Sequence, residues 1–227
     1  MTAAEMTIEQ RIALVRENIA RAAAGRDVTL VGVAKTKPAE LVARAIRAGL
    51  DVIGENYVQE IRDKSAAGAY EGAAVHMIGH LQTNKVKYVA GKVDLIQSVD
   101  SPALLQAIAR RASSLGVTQD VLLEVNIGGE TGKSGVAPDR LQELLETAEE
   151  LSGVRVRGLM AIPPAENTRA YFEPMYHLFI DNKAKKYDNV IMDFLSMGMS
   201  DDYEDAIREG ANMVRVGSFI FGPRNYT

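Results

Sequence analysis

Apolar positions along this chain follow two rhythms. The first stretch is helical: Ile8, Ile12, Val15 and Ile19 recur at helical intervals, Thr7 and Gln10 stand at the spacing of a capping box, and Gly25 stops the run. Acidic residues and helical periodicity occupy the place where a signal peptide would show basic residues and a short apolar core, so this segment reads as a retained helix. From residue 28 onward, short apolar runs rich in β-branched residues take over. They span Val28 to Val33, Asp51 to Gly54, Ala74 to Gly79, Asp94 to Val99, Val121 to Ile127, Val154 to Met160, Asn189 to Leu195 and Asn212 to Val216. Helical patterns lie between them, opening at Lys37-Pro38, Ser101-Pro102, Pro138 and Asp201 and closing at Gly49, Gly116, Gly153 and Gly210.

Strands that alternate with helices imply a parallel sheet. Eight such units, with no glycine-rich linker or composition shift to divide them, predict an α/β fold. A single closed (β/α)8 TIM-like barrel is favoured over an open doubly wound sheet, preceded by the N-terminal helix. The expected organisation is one domain over residues 1–227, with the helix at about 7–25 and the barrel at about 28–222.

Composition removes several function classes. With 47% hydrophobic and 25% charged residues the chain reads as a soluble globular protein, and no stretch approaches the roughly 20 apolar residues that span a bilayer, so no membrane role is expected. Its 26 basic and 30 acidic residues are interspersed and sum to a net charge of -4, which leaves no basic face for nucleic acid. Zero cysteines exclude a disulfide framework, a thiolate metal site, an iron–sulfur cluster and a cysteine nucleophile, and fit a cytoplasmic location.

A barrel places its chemistry on the loops that follow the C-terminal ends of its strands. Lys35, Asn56, His80, Asn126, Ser196 and Arg215 each follow an apolar stretch and are expected around one mouth, where converging polar groups suggest a small-molecule site. Lys35 has two readings. At the end of an apolar run it would be partly desolvated, which favours the neutral, nucleophilic amine able to form an imine with an aldehyde; equally, it could be a strand-end lysine reaching to water. Lys37 reads as the second kind. Arg215-Val216-Gly217-Ser218 offers backbone N–H groups and a hydroxyl suited to phosphate, and Ser196 to Ser200 is a second candidate in which Ser200 caps a helix beginning at Asp201. The plain alternative is that Ser200 is only a cap, the glycines only make turns, and Arg215 pairs with a helix.

Other motifs fail on inspection. GETGKSG lacks the P-loop glycine, since Ile127 stands where it is needed, so Lys133 is expected on a loop. His76 and His80 stand four apart, but on a strand that separates them by roughly 13 Å, too far to share a metal ion. No metal site is expected.

VAKTKP, IGENYVQE, HMIGHLQTNK, ETGKSG, RGLMAIPP, LSMGMSDD and MVRVGSFIFG, in order from residue 31 to 222, resemble the motifs of the pyridoxal phosphate homeostasis proteins, single-domain relatives of the barrel half of bacterial alanine racemases. The resemblance implies pyridoxal 5′-phosphate as cofactor, held by a Schiff base on Lys35 and covered by Asn56. Phosphate contacts would come from Ser196 or Ser200 with Gly217 and Ser218, Arg215 would face the pyridine nitrogen, and Met160 would line the pocket. A guanidinium there keeps its own protons and leaves the ring nitrogen unprotonated, which makes the ring a weak electron sink. Few motif residues fall between Pro164 and Ile191.

The expected function is an intracellular carrier or reservoir of the cofactor, not an enzyme. The chain is expected to be a monomer, with PLP-dependent apoenzymes as recipients and Lys133 as a possible second aldehyde-reactive amine. One alternative is a PLP-dependent amino-acid racemase. The resemblance implies that racemases draw a second base, a tyrosine, from a C-terminal β domain, whereas this chain ends at Thr227. The other is a barrel for an unrelated phosphorylated metabolite, with Lys35 as an ion-pairing group.

Overall fold

The computed structural model describes residues 5–223, so the outermost residues of the expected 1–227 domain lie outside the described residues. Helix α1 (Ile8–Ala23) forms where the apolar period predicts it. Thr7 Oγ1 accepts from the Gln10 N–H at 3.3 Å, Gln10 Oε1 accepts from the Thr7 N–H at 2.9 Å, and Ala24 and Gly25 turn left-handed to end the helix.

Eight parallel strands follow: β1 (Thr29–Val33), β2 (Val52–Glu55), β3 (Ala74–Met77), β4 (Leu95–Val99), β5 (Gln119–Val125), β6 (Val154–Ala161), β7 (Val190–Ser196) and β8 (Met213–Val216). They close into a barrel in sequence order, with β8 pairing β1 through Val31 and Arg215. The outer helices are α2 (Ala39–Arg47), α3 (Val58–Ala66), α4 (Pro102–Ser114), α5 (Leu141–Glu149), α6 (Arg169–Lys183), α7 (Tyr203–Arg208) and α8 (Ser218–Phe221). After β3 the connection is a 3₁₀ stretch, Thr83–Tyr88, in place of an α-helix. Proline enters α2 one position earlier than expected, because Pro38 is the extended residue before the helix and leaves the first helical turn to Ala39.

Apolar side chains fill two regions. Leu30, Ile53, Ile96 and Leu123 face outward and pack with helix residues such as Val42, Leu105 and Ile108. Val31, Leu95, Leu122, Met160 and Met213 form a smaller cluster inside the barrel. Pairing register then fixes which polar residues share that inward face: His76 pairs Leu95, Met160 pairs Ser196, and Arg215 pairs Val31. The wall is irregular at Gly158, where the β6–β7 register shifts and φ is +145°; a side chain there would collide with the Phe194 backbone.

Candidate functional site

β1 ends at Val33, and Lys35 lies in the turn that leads to α2, half-buried. From the opposite side of the closure, β8 carries Arg215, Gly217 follows it, and Ser218 opens α8. The loop between β7 and α7 adds Met199, Ser200 and Asp201. Together these residues, with Lys37, line one half-open cleft with about 670 Å³ of empty space, part of it open to solvent.

Arg215 is 4% exposed. Its Nη1 donates to Ser196 Oγ at 2.6 Å and its Nη2 to the Ala161 carbonyl at 2.9 Å. Burial pulls its pKa down to about 10 while Glu124 and Asp202 pull it back, so it stays charged at neutral pH. Beneath it a directed chain runs into the barrel: Ser196 Oγ donates to Gln97 Oε1 at 2.7 Å, and Gln97 Nε2 lies 2.9 Å from His76 Nδ1. Burial lowers the His76 pKa to about 4, so the ring is neutral and Nδ1 accepts. Glu124 shares this interior, where burial and the nearby Asp100 push its carboxyl up to about 7 against the opposing pull of Arg215.

Across the cleft, Ser200 Oγ accepts from the Gly217 N–H at 3.2 Å and from Ser218 Oγ at 3.3 Å. This corrects the cap expected of Ser200. α7 starts at Tyr203, and Asp202 Oδ1 takes the Met199 N–H at 2.6 Å, so the two intervening residues swing Ser200 over to the β8–α8 loop. Lys37 does not simply reach to water: its Nζ donates to the carbonyls of Gly222 at 3.1 Å and Pro223 at 2.6 Å, and burial followed by repulsion from Arg11 lowers its pKa.

The six residues expected at one mouth divide. Lys35 and Arg215 line the cleft. Ser196 lies fully buried beneath it, its hydroxyl engaged on both sides. Asn56 and His80 line a separate groove with Tyr57, Arg62, Lys85 and Tyr88. There Gly79 lets the segment after β3 approach the Asn56 backbone, and Asn56 Oδ1 is buried with no hydrogen-bond partner among the described residues. Asn126 bonds within its own loop, to the backbone of Glu130. Met160 is fully buried in the interior cluster and pairs with Ser196 across β6–β7, so it is not among the residues that line the cleft. Lys133 is exposed on the loop after β5, outside the residues that line the cleft. Sequence reasoning missed Gln97, Glu124 and the buried acid–lysine pair Glu55 and Lys64. Gln97 and Glu124 sit on the same, inward face as the apolar Leu95 and Leu122 two residues before them, and that period of two was the available signal.

Chemically, the cleft offers a primary amine, a buried guanidinium, two hydroxyls and a backbone N–H, which suits a phosphorylated carbonyl compound. Comparison with known proteins agrees on the family. The family model "Alanine racemase, N-terminal domain" matches residues 11–225. A pyridoxal phosphate homeostasis protein of Aquifex aeolicus is 46% identical over 226 residues, covering 96% of this chain and 98% of its own. The protein of the same name from Pseudomonas aeruginosa is 42% identical, with 97% of each chain covered. Among solved structures, PipY of Synechococcus elongatus PCC7942, with PLP bound, superposes with a TM-score of 0.83 at 32% identity, covering 95% of this chain and 100% of its own. The chain belongs to the alanine racemase N-terminal domain family and to the pyridoxal phosphate homeostasis proteins.

Proposed function

We propose that the cleft binds pyridoxal 5′-phosphate covalently through Lys35 and that the chain stores and hands on this cofactor without turning over a substrate. The observation that carries the reading is the meeting of the Lys35 amine, Arg215 and the Ser200–Gly217–Ser218 group in one cleft. The residues fit the group in their chemistry: a half-buried amine for an aldehyde, and hydroxyl and N–H donors for a phosphate. When bound, the cofactor supplies an aldehyde carbon to which the amine adds, with loss of water, to leave a reducible covalent link.

In this reading Ser200, Ser218 and Gly217 hold the phosphate, and Arg215, fixed by Ser196 and the Ala161 carbonyl, faces the pyridine nitrogen. A guanidinium that keeps its protons gives that nitrogen none, which suits holding and release better than chemistry that needs a strong electron sink. Asn56, with its unpartnered Oδ1, is the proposed neighbour of the ring from the β2 side. Met160 backs the site from the barrel interior, next to Ala161 in sequence. The chain works as a cytoplasmic monomer, and its recipients are PLP-dependent apoenzymes. Closure of the barrel supports the monomer, since its strands leave no open edge to pair with another copy.

Borohydride reduction of the protein loaded with PLP, followed by peptide mapping, tests the attachment. The expected result is a stable adduct on the peptide that holds Lys35. An adduct confined to other lysines would sink the assignment, and inversion of L-alanine at enzymatic rates would replace storage with racemisation.

A further inference from the structure

Helix α3 contributes no residue to the wall of the cleft, yet it grips the backbone on both sides of Lys35. Lys64, on α3, is buried, and its Nζ donates to three oxygens: the Ala34 carbonyl at 2.8 Å, Glu55 Oε1 at 2.7 Å and Glu60 Oε2 at 2.7 Å. Glu60, one turn earlier on the same helix, accepts the Thr36 N–H with both carboxylate oxygens, at 3.0 and 2.8 Å. The two peptide groups that flank the Lys35 Cα are therefore each tied to α3, one through its carbonyl and the other through its N–H. Tyr70 steadies the far end by donating to Glu55 Oε1 at 3.0 Å.

Two features set this apart from a surface ion pair at helical spacing, which contributes little. Lys64 and Glu55 are 7% and 0% exposed in their side chains. The pair is held by the three donations from Lys64 Nζ and a fourth bond from Tyr70 to Glu55 Oε1, while Glu55 Oε2 has no partner among the described residues. Thr36 has φ +63°, a left-handed conformation that is costly for a β-branched residue and is kept only where its surroundings over-determine it. The Glu60 carboxylate on the Thr36 N–H supplies that constraint.

We infer that Glu60 and Lys64 are positioning residues for Lys35: they lock the left-handed turn at Thr36 so that the amine is presented to the cleft, and thereby set how fast it captures an aldehyde. The inference rests on the reading of Lys35 as the attachment point. Its test mixes the full chain, freed of cofactor, with excess PLP and follows uptake by absorbance. The amplitude counts competent molecules, while the rate constant reports how Lys35 is presented.

Glu60→Ala is expected to lower the rate constant about tenfold or more, since small misplacements of a reacting group have large kinetic effects, at an amplitude close to wild type. Glu60→Gln keeps an acceptor for the Thr36 N–H and should fall between the two. A Glu60→Ala rate constant equal to wild type overturns the inference, as does a loss confined to the amplitude, which would make the pair a support of the fold alone. If Glu60→Ala does not fold, Glu60→Gln decides by the same criterion. Mapping the reduced adduct in wild type separates the two possible failures. An adduct on Lys35 with unchanged variant kinetics removes the positioning role only; an adduct elsewhere removes the reading beneath it as well.

Discussion

His76 and Glu124 are buried titrating groups that bend the pH dependence of stability in opposite directions. The His76 pKa falls from an ordinary 6.5 to about 4, so between these values the unfolded chain binds a proton that the folded barrel refuses, and stability rises with pH. The Glu124 pKa rises from an ordinary 4.5 to about 7, so across that range the folded barrel holds a proton that the unfolded chain has lost, and stability falls as pH rises. Each effect is on the order of 3 kcal/mol over its full span, and the two windows largely overlap, so wild type should change little between pH 5 and pH 6.5 on their account. Removing one exposes the other. Urea unfolding is expected to show Glu124→Gln gaining stability with pH over this window and His76→Gln losing it; slopes of the same sign in both variants would refute the assignment. In the sequence, Lys35 stood out because a charge at the end of an apolar run is visible locally. His76 drew notice only for its spacing from His80 and Gln97 drew none, because the bond between them exists only once β3 and β4 lie side by side.

Secondary-structure elements were legible wherever the signal was local. The capping box of α1 is the clearest case: both halves lie within three residues, and both bonds form. Thr7→Ala removes one of them and should cost about 1 kcal/mol, read as a lower urea midpoint with no change in cofactor uptake. Strand positions followed from β-branched runs, to within a residue or two at most ends. Errors arose where several arrangements satisfy one local pattern. Ser200 has the composition of a helix cap, but Asp202, two residues later, bonds the Met199 N–H and frees Ser200 for a partner on the next loop. Glu60 and Lys64 went unremarked, because nothing in their spacing on α3 says that the turn after β1 packs against them. α6 carries Pro174 in its interior, in the segment where few motif residues could be placed.

At the scale of the molecule, the count of eight strand–helix units was enough to favour a closed barrel, since eight parallel strands can complete a ring whose core is filled by side chains. The count could not show which interior layer would be polar, because that depends on register: Ser196 meets Met160 and Met213 only through the pairing of β6, β7 and β8. The β1–β8 seam, where Val31 meets Arg215, also sets a clock on biosynthesis. During translation at about 5–20 residues per second, Lys35 is made on the order of ten seconds or longer before Arg215 and Ser218 exist to complete the cleft beside it. Nascent chains stalled before Met213 are expected to yield no borohydride-trapped cofactor on Lys35, while chains released at full length do. On that expectation the cofactor arrives after the last strand has docked, as a seal on a finished ring and not as a template for building it.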